Sequence, residues 1–245
     1  MPYGLDQPDW GGHYNTGQFY PLYDMAELAA RLGSVLTYDR RGALIWAEDF
    51  RHGIGSWEED HFGDDVDAAL SANYWENPPF SAELIVDGTS LSWAVIERRV
   101  EVPEVTNVGL QVSVRWGAGS SKFQMYWWQY TGAVYHRAGL IADPVAETVS
   151  LFSNEGTTVL VANTGDFRDA NYFAHFKIVL NLETHELVRA IALGQEYDLS
   201  AYTTQAVASG LPPSLKARIV HVSALAGESS IYIDNIIITA AEPAN

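Results

Sequence analysis

Cysteine is absent from the 245 residues, and lysine is nearly so, with Lys122, Lys177 and Lys216 far apart in the chain. Without thiols there is no disulfide framework, no zinc–thiolate site and no thiol nucleophile. No apolar run approaches the roughly 20 residues that a membrane span needs. Met1-Pro2-Tyr3-Gly4-Leu5-Asp6 lacks the basic and apolar regions of a signal peptide, so neither export nor a membrane is expected, and the compartment stays open. Basic residues number 14 against 31 acidic ones, a net charge of −17, which argues against binding a nucleic-acid backbone. Also missing are H-E-x-x-H, G-x-S-x-G, the P-loop and G-x-G-x-x-G, so the common metal, nucleophile and phosphate signatures give no activity.

Apolar mass, by contrast, is plentiful. Hydrophobic residues make up 47% of the chain and aromatics 12%, enough to bury a core. Six aromatics (Tyr3, Trp10, Tyr14, Phe19, Tyr20, Tyr23) crowd into residues 1–23 among Pro and Gly that forbid a long helix. This reads as an arm that lies on its own core or on a neighbouring subunit. Asp24 and Glu27 at the capping-box spacing, Leu28 and Leu32 on one face, and Gly33 predict a short helix over 24–33. From residue 43 the chain reads as β. Segments 43–50, 81–86, 91–98, 108–116, 122–130, 148–152, 158–162, 172–181, 186–193, 214–224 and 231–239 are rich in β-formers and bounded by turn residues. The expected organisation is an arm with a short helix over 1–42 and one all-β, two-sheet antiparallel sandwich over 43–245.

Three stretches carry a resemblance. Trp46-Ala-Glu-Asp-Phe50, followed by Gly53, Gly55 and Trp57, is similar to the opening strand and turn of concanavalin A-like and jelly-roll carbohydrate-binding sandwiches. Ile231-Tyr-Ile-Asp-Asn-Ile-Ile-Ile238 resembles their closing strand, and Asn181-Leu-Glu-Thr-His-Glu-Leu-Val188 the central hairpin of laminin G-like modules. The resemblance implies a jelly-roll-like sandwich. It also implies a structural calcium between Glu48 or Asp49 and Asp234, against the plainer reading that these carboxylates bond nearby amides.

The stretch Lys122–Tyr130 carries the most chemistry. Strand alternation sets Phe123, Met125 and Trp127 on one face and Gln124, Tyr126, Trp128 and Tyr130 on the other. Segment 108–116 splits likewise, into an apolar row and a row of Gln111, Ser113 and Arg115. If Gly117-Ala-Gly-Ser-Ser121 closes a hairpin, Gln111, Arg115, Gln124, Tyr126, Trp128 and Tyr130 form one surface. Such a surface suits a sugar, whose C–H face stacks on rings and whose hydroxyls need amide or guanidinium partners. It suits equally a protein interface or the underside of the arm.

Other clusters point less far. Six carboxylates in 58–67 lack EF-hand spacing and read as a solvated loop. Glu97 and Glu101 around Arg98-Arg99 read as an edge ion-pair cluster, and no carboxylate pair of glycosidase type stands out. His175 and Lys177 share a strand face; a lyase would use such a pair, but the acidic chain offers an anionic substrate little positive field. The arm, the missing leader and the acidic surface together predict a non-enzymatic structural or surface-binding protein of a larger assembly. A phage virion component with protein subunits as partners, in a homo-oligomer, fits that reading. The alternative is a carbohydrate-binding module or lectin-like protein with a polysaccharide partner, and behind it a polysaccharide hydrolase or lyase.

Overall fold

The computed structural model describes residues 39, 41–88, 92–101, 107–117, 119, 121–162, 164, 172–223 and 227–244. Among these, sixteen strands form and no helix does. In chain order they are β1 (Ala43–Glu48), β2 (Glu58–Phe62), β3 (Asp67–Ser71), β4 (Ser81–Val86), β5 (Trp93–Val100), β6 (Asn107–Trp116), β7 (Ser121–Tyr130) and β8 (Val134–Asp143). There follow β9 (Thr148–Ser153), β10 (Gly156–Ala162), β11 (Ala174–Asn181), β12 (Leu187–Ala192), β13 (Gln195–Asp198), β14 (Gln205–Ala208), β15 (Ser214–Ser223) and β16 (Ser229–Ala240). No helix of the described residues is long and apolar enough to cross a membrane.

Two antiparallel sheets result. The first runs β13-β12-β11-β6-β16-β4-β3, with β1 also on β16; the second runs β10-β9-β8-β7-β15-β5-β2, with β14 on β8. Alternation decides which side of each strand enters the interior. Val108, Leu110, Val112, Val114 and Trp116 of the first sheet face Phe123, Met125 and Trp127 of the second, and all are buried. Trp116 meets Phe123 edge-on at 6.3 Å, and Phe123 lies 5.3 Å from Phe176 of β11. Each large apolar side chain sealed in this layer is worth about 1.5–3 kcal/mol relative to exposure.

Opening and closing strands lie side by side, as their resemblance implies: Trp46 pairs with Ile238 and Glu48 with Ile236. The 181–188 segment is the β11–β12 hairpin, with the Asn181 side chain accepting the Glu183 and Thr184 amides at 2.9 Å. The carboxylate-rich 58–67 segment differs from expectation. Its first half is β2, an exposed edge strand on β5, and its last residue starts β3 at the edge of the other sheet. Repelling charges on an edge discourage pairing with a foreign strand.

The expected hairpin between 108–116 and 122–130 does not form. β6 sits between β11 and β16, and β7 between β8 and β15, so the short link crosses from one sheet to the other. Two strands facing each other across a core bring their apolar rows together just as a hairpin does. They send their polar rows to opposite outsides. The true hairpin partner of β7 is β8, closed by the Thr131 amide on the Val134 carbonyl at 2.8 Å.

Candidate functional site

The outer face of the second sheet is built in rows that cross the strands. One row reads Arg99, Lys216, Trp128, Arg137 and Gln205, from β5 through β15, β7 and β8 to β14. The next reads Glu97, Arg218, Tyr126, Gly139 and Phe152. Gln124 lies one row further along, and Tyr130 and Tyr135 pair one row back.

Tyr126 forms the floor. Its ring crosses Gly139 so closely that a Cβ there would meet Tyr126 Cδ1 at 2.3 Å. Phe152 stands edge-on to it at 5.8 Å, and its hydroxyl donates to Gln124 Oε1 at 2.8 Å. Burial pushes the phenol up to about 12, against the pull of Arg137 and Arg218, so it stays protonated. Trp128 stands as a wall, stacked on Tyr135 at 5.2 Å with Arg218 4.1 Å from its ring centre. Those two neighbours come from the strands on either side of β7, so little of the indole face is left for a ligand and Tyr126 is the better platform. The charged groups are mostly paired. Glu97 binds Lys216 and, at 2.9 Å, Arg218; Glu58 lies 3.6 Å from Lys216 and Asp60 3.9 Å from Arg218. Arg137 donates from Nε to Gln205 Oε1 at 2.7 Å and lies 4.8 Å from the Phe152 ring centre.

Of the residues predicted as one surface, Gln124, Tyr126, Trp128 and Tyr130 share this face. Gln111 and Arg115 do not; they belong to the opposite outside of the sandwich, because β6 and β7 lie in different sheets. Arg115 stacks there on Tyr74 at 3.6 Å. Glu97 also departs from the expected cluster, since Arg98, its neighbour on the strand, points to the opposite face and Arg99, on the same face, makes no ion pair with it. Its cations come from β15, while Arg98 lies over Trp46 at 4.2 Å. Tyr135, Arg137, Gly139, Phe152, Lys216 and Arg218 were missed as site residues. Lys216 and Arg218 alternate with Leu215, Ala217 and Ile219, a parity that could have placed them. The arm residues Tyr3, Trp10, Tyr14, Phe19, Tyr20 and Tyr23, and the helix over 24–33, lie outside the described residues.

The first sheet's outer face is occupied by the protein's own chain. Residues 72–80 fold across it. Asp234 Oδ2 accepts the Glu76 and Asn77 amides at 2.8 Å each, and Oδ1 the Asn235 amide at 2.7 Å. Asp49 lies 3.0 Å from Arg51 Nε and 3.4 Å from the Asn77 side-chain amide. Those neighbours are N–H donors, whereas calcium takes several oxygens. The pair Asp49 and Asp234 therefore does not fit the metal. Among the described residues no group of three or more His, Asp or Glu side chains is arranged to hold one. Burial pushes the Asp234 carboxyl up to about 7 although three amides oppose it. Beside it, Ser113 Oγ is 2.9 Å from His175 Nδ1, and His175 Nε2 is 3.3 Å from Glu76. Ser113 is fully buried, so this chain of groups anchors the loop and presents no nucleophile.

A second cluster ties both ends of the described chain to the same face. Lys177 Nζ lies 2.8 Å from Asp39 and 2.6 Å from Glu242, and all three are buried. Arg189 binds Glu242 and the Pro243 carbonyl, while Arg41 bridges Asp39 at 2.8 Å and Glu196 at 2.6 Å. Gly109 leaves room beneath: a Cβ there would stand 2.5 Å from Thr239 Oγ1 and 2.8 Å from Glu242 Oε1.

No protein family model matches the chain, and no curated protein does either. Solved structures do. An endo-β-1,4-glucuronan lyase from the fungus Trichoderma reesei aligns with TM-score 0.56 at 8% identity, over 81% of this chain and 96% of that one. A Bacillus licheniformis β-glucanase aligns with TM-score 0.49 at 10% identity, over 79% and 97%. A Bacillus subtilis protein of unknown function with a galectin-like fold gives TM-score 0.49 at 10% identity, over 82% and 97%. The two antiparallel sheets and the first of these likenesses show a jelly-roll-like β-sandwich fold; at such identity the likeness speaks of fold alone, and function is argued from the site.

Proposed function

We propose that the protein binds a glycan, without cleaving it, on the outer face of the second sheet around Tyr126. The observation that carries this reading is the interleaving of rings with amide and guanidinium groups in adjacent rows: Trp128 beside Arg137, and Tyr126 beside Gln124. Apolar sugar faces stack on such rings, and sugar hydroxyls exchange hydrogen bonds with amides and guanidinium groups. Two features support binding over cleavage. Glycoside hydrolysis uses two carboxyl groups flanking the bond, and here Glu58, Asp60 and Glu97 each face a cation. The Tyr126 phenol, pushed up to about 12, is a poor base at neutral pH.

The test is a glycan array followed by affinity electrophoresis on the polysaccharides that score. Tyr126→Ala is expected to weaken binding about tenfold or more, with thermal melting reporting that the sandwich persists. Arg115→Ala, on the opposite outside, is expected to leave binding unchanged. Absence of any bound glycan, or equal losses in both variants, refutes the reading; release of new sugar ends refutes its non-cleaving part.

A role of the 1–23 arm in latching a neighbouring subunit, as in a virion assembly, stands as a second reading. What favours it is the ion cluster: Asp39 and Arg41, the first described residues after the arm, are fixed to Lys177, Arg189 and Glu196, with Glu242 joined through Lys177 and Arg189.

A further inference from the structure

We infer that the glycan bound at this face is acidic, and that Arg137 and Arg99 receive its carboxylates; the inference rests on the glycan reading above. Lys122 is paired with Asp143 at 2.8 Å, Lys216 with Glu97 and Glu58, and Arg218 with Glu97 and Asp60. Among the described residues Arg137 and Arg99 have no ion pair, in a chain where acids outnumber bases 31 to 14. Elsewhere among the described residues Arg98 and Arg115 also lack an ion pair, but each lies over a ring, Trp46 and Tyr74, whereas on this face the other cations are all paired. Arg137 is also held ready. Its Nε is taken by Gln205 and its plane lies near the Phe152 and Tyr135 rings, which leaves both Nη groups for a ligand. Paired guanidinium N–H groups match the two oxygens of a carboxylate.

The register adds a direction. Arg99, Lys216, Trp128 and Arg137 occupy one row across four adjacent strands. At ~4.8 Å per strand the two unpaired arginines stand about 14 Å apart, with a ring and a lysine between them. A sugar polymer lying across the strands would meet a cation, then an aromatic wall, then another cation. Repeating units with one carboxylate each suit that pattern. Single-stranded nucleic acid also combines charge with stacking, but it stacks successive bases on open rings, and the Trp128 ring is already covered by Tyr135 and Arg218. The net charge of −17 opposes both polyanions alike, so the glycan's carboxylates have to be met locally by Arg137 and Arg99.

Affinity electrophoresis and calorimetry of the full chain with sodium polygalacturonate and sodium alginate test this, beside the carboxyl-reduced forms of both, neutral xylan and β-glucan, and oligo-dT. An acidic polymer is expected to bind, and carboxyl reduction to weaken it about tenfold or more. Arg137→Gln is expected to lose a similar factor on the acidic polymer alone, and Arg137→Lys to recover part of it. Arg99→Gln, at an exposed position, serves if Arg137→Gln melts early. Equal binding of neutral and acidic polymers, indifferent to Arg137→Gln, overturns the acidic inference and leaves the glycan reading standing. Binding to none of the polysaccharides removes both, and preference for oligo-dT overturns the inference in favour of a nucleic acid.

Discussion

His221 sets a measurable acid limit on the sandwich. It lies on the inner row of β15, fully buried, and its Nδ1 donates to the Leu84 carbonyl of β4 at 2.8 Å. The bond spans the two sheets and fixes the tautomer, leaving Nε2 facing Ser229 Oγ at 3.4 Å. Burial pushes the imidazole down to about 3, with the Leu84 carbonyl pulling the other way. The folded protein therefore resists a proton that the unfolded chain accepts at its ordinary pKa of about 6.5. The stabilising contribution is complete above pH 6.5 and is lost as pH falls towards 3. At about 1.4 kcal/mol per unit, the loss is about 2 kcal/mol by pH 5 and about 5 kcal/mol below pH 3. For a chain of this size 2 kcal/mol lowers Tm by about 4–8 °C. Urea unfolding at a series of pH values is the assay, with His221→Asn as the reference because its amide can still reach Leu84 and does not titrate. His136, His175 and His185, all held down by burial, titrate in both proteins and cancel in the difference. The stability advantage of the wild type should shrink by about 2 kcal/mol between pH 7.5 and pH 5. An advantage that stays constant over that range refutes the reasoning.

Gly139→Ala places a Cβ 2.2 Å from the Met125 carbonyl oxygen, which backbone cannot yield, and 2.3 Å from Tyr126 Cδ1. A loss of about 1–3 kcal/mol in stability is expected, together with loss of glycan binding as Tyr126 is displaced. Full affinity in a folded Gly139→Ala protein would mean that Tyr126 is not the floor of the site. Deleting residues 1–23 should lower the number of subunits per particle measured by sedimentation while melting stays near that of the full chain, because Asp39 and Arg41 remain. An unchanged number of subunits is the outcome that ends the subunit-latching reading.

Strand existence was legible wherever β-branched and aromatic residues alternated, and eleven of the observed strands coincide with segments read that way. The five that escaped have local reasons. β8 carries Gly139 and two alanines, Ala138 and Ala142, small because Tyr126 and the packed interior need the space. β2 and β3 lie at sheet edges and are dominated by acids or alanine, and β13 and β14 have four residues each. None of these can announce itself by periodicity, since their stability comes from pairing with stronger neighbours.

The site was half legible for a deeper reason. Parity along one strand says which side chains share a face, but it does not say which strand lies beside it. The apolar rows of β6 and β7 meet whether the strands pair or face each other across the core. Only the second arrangement sends Arg115 and Tyr126 to opposite outsides. The sequence around Gly117 is permissive of either. What excludes the hairpin is distant: β16 and β15, which come far later in the chain, occupy the neighbouring edges of β6 and β7. The same remoteness hid the functional cations. Arg137 joins Trp128 through the β7–β8 hairpin, but Lys216 and Arg218 arrive from β15, and Gln205 from β14. A row that crosses strands is therefore a property of the register, and the acidic-glycan inference could be drawn only once that register placed two unpaired arginines in line with a tryptophan.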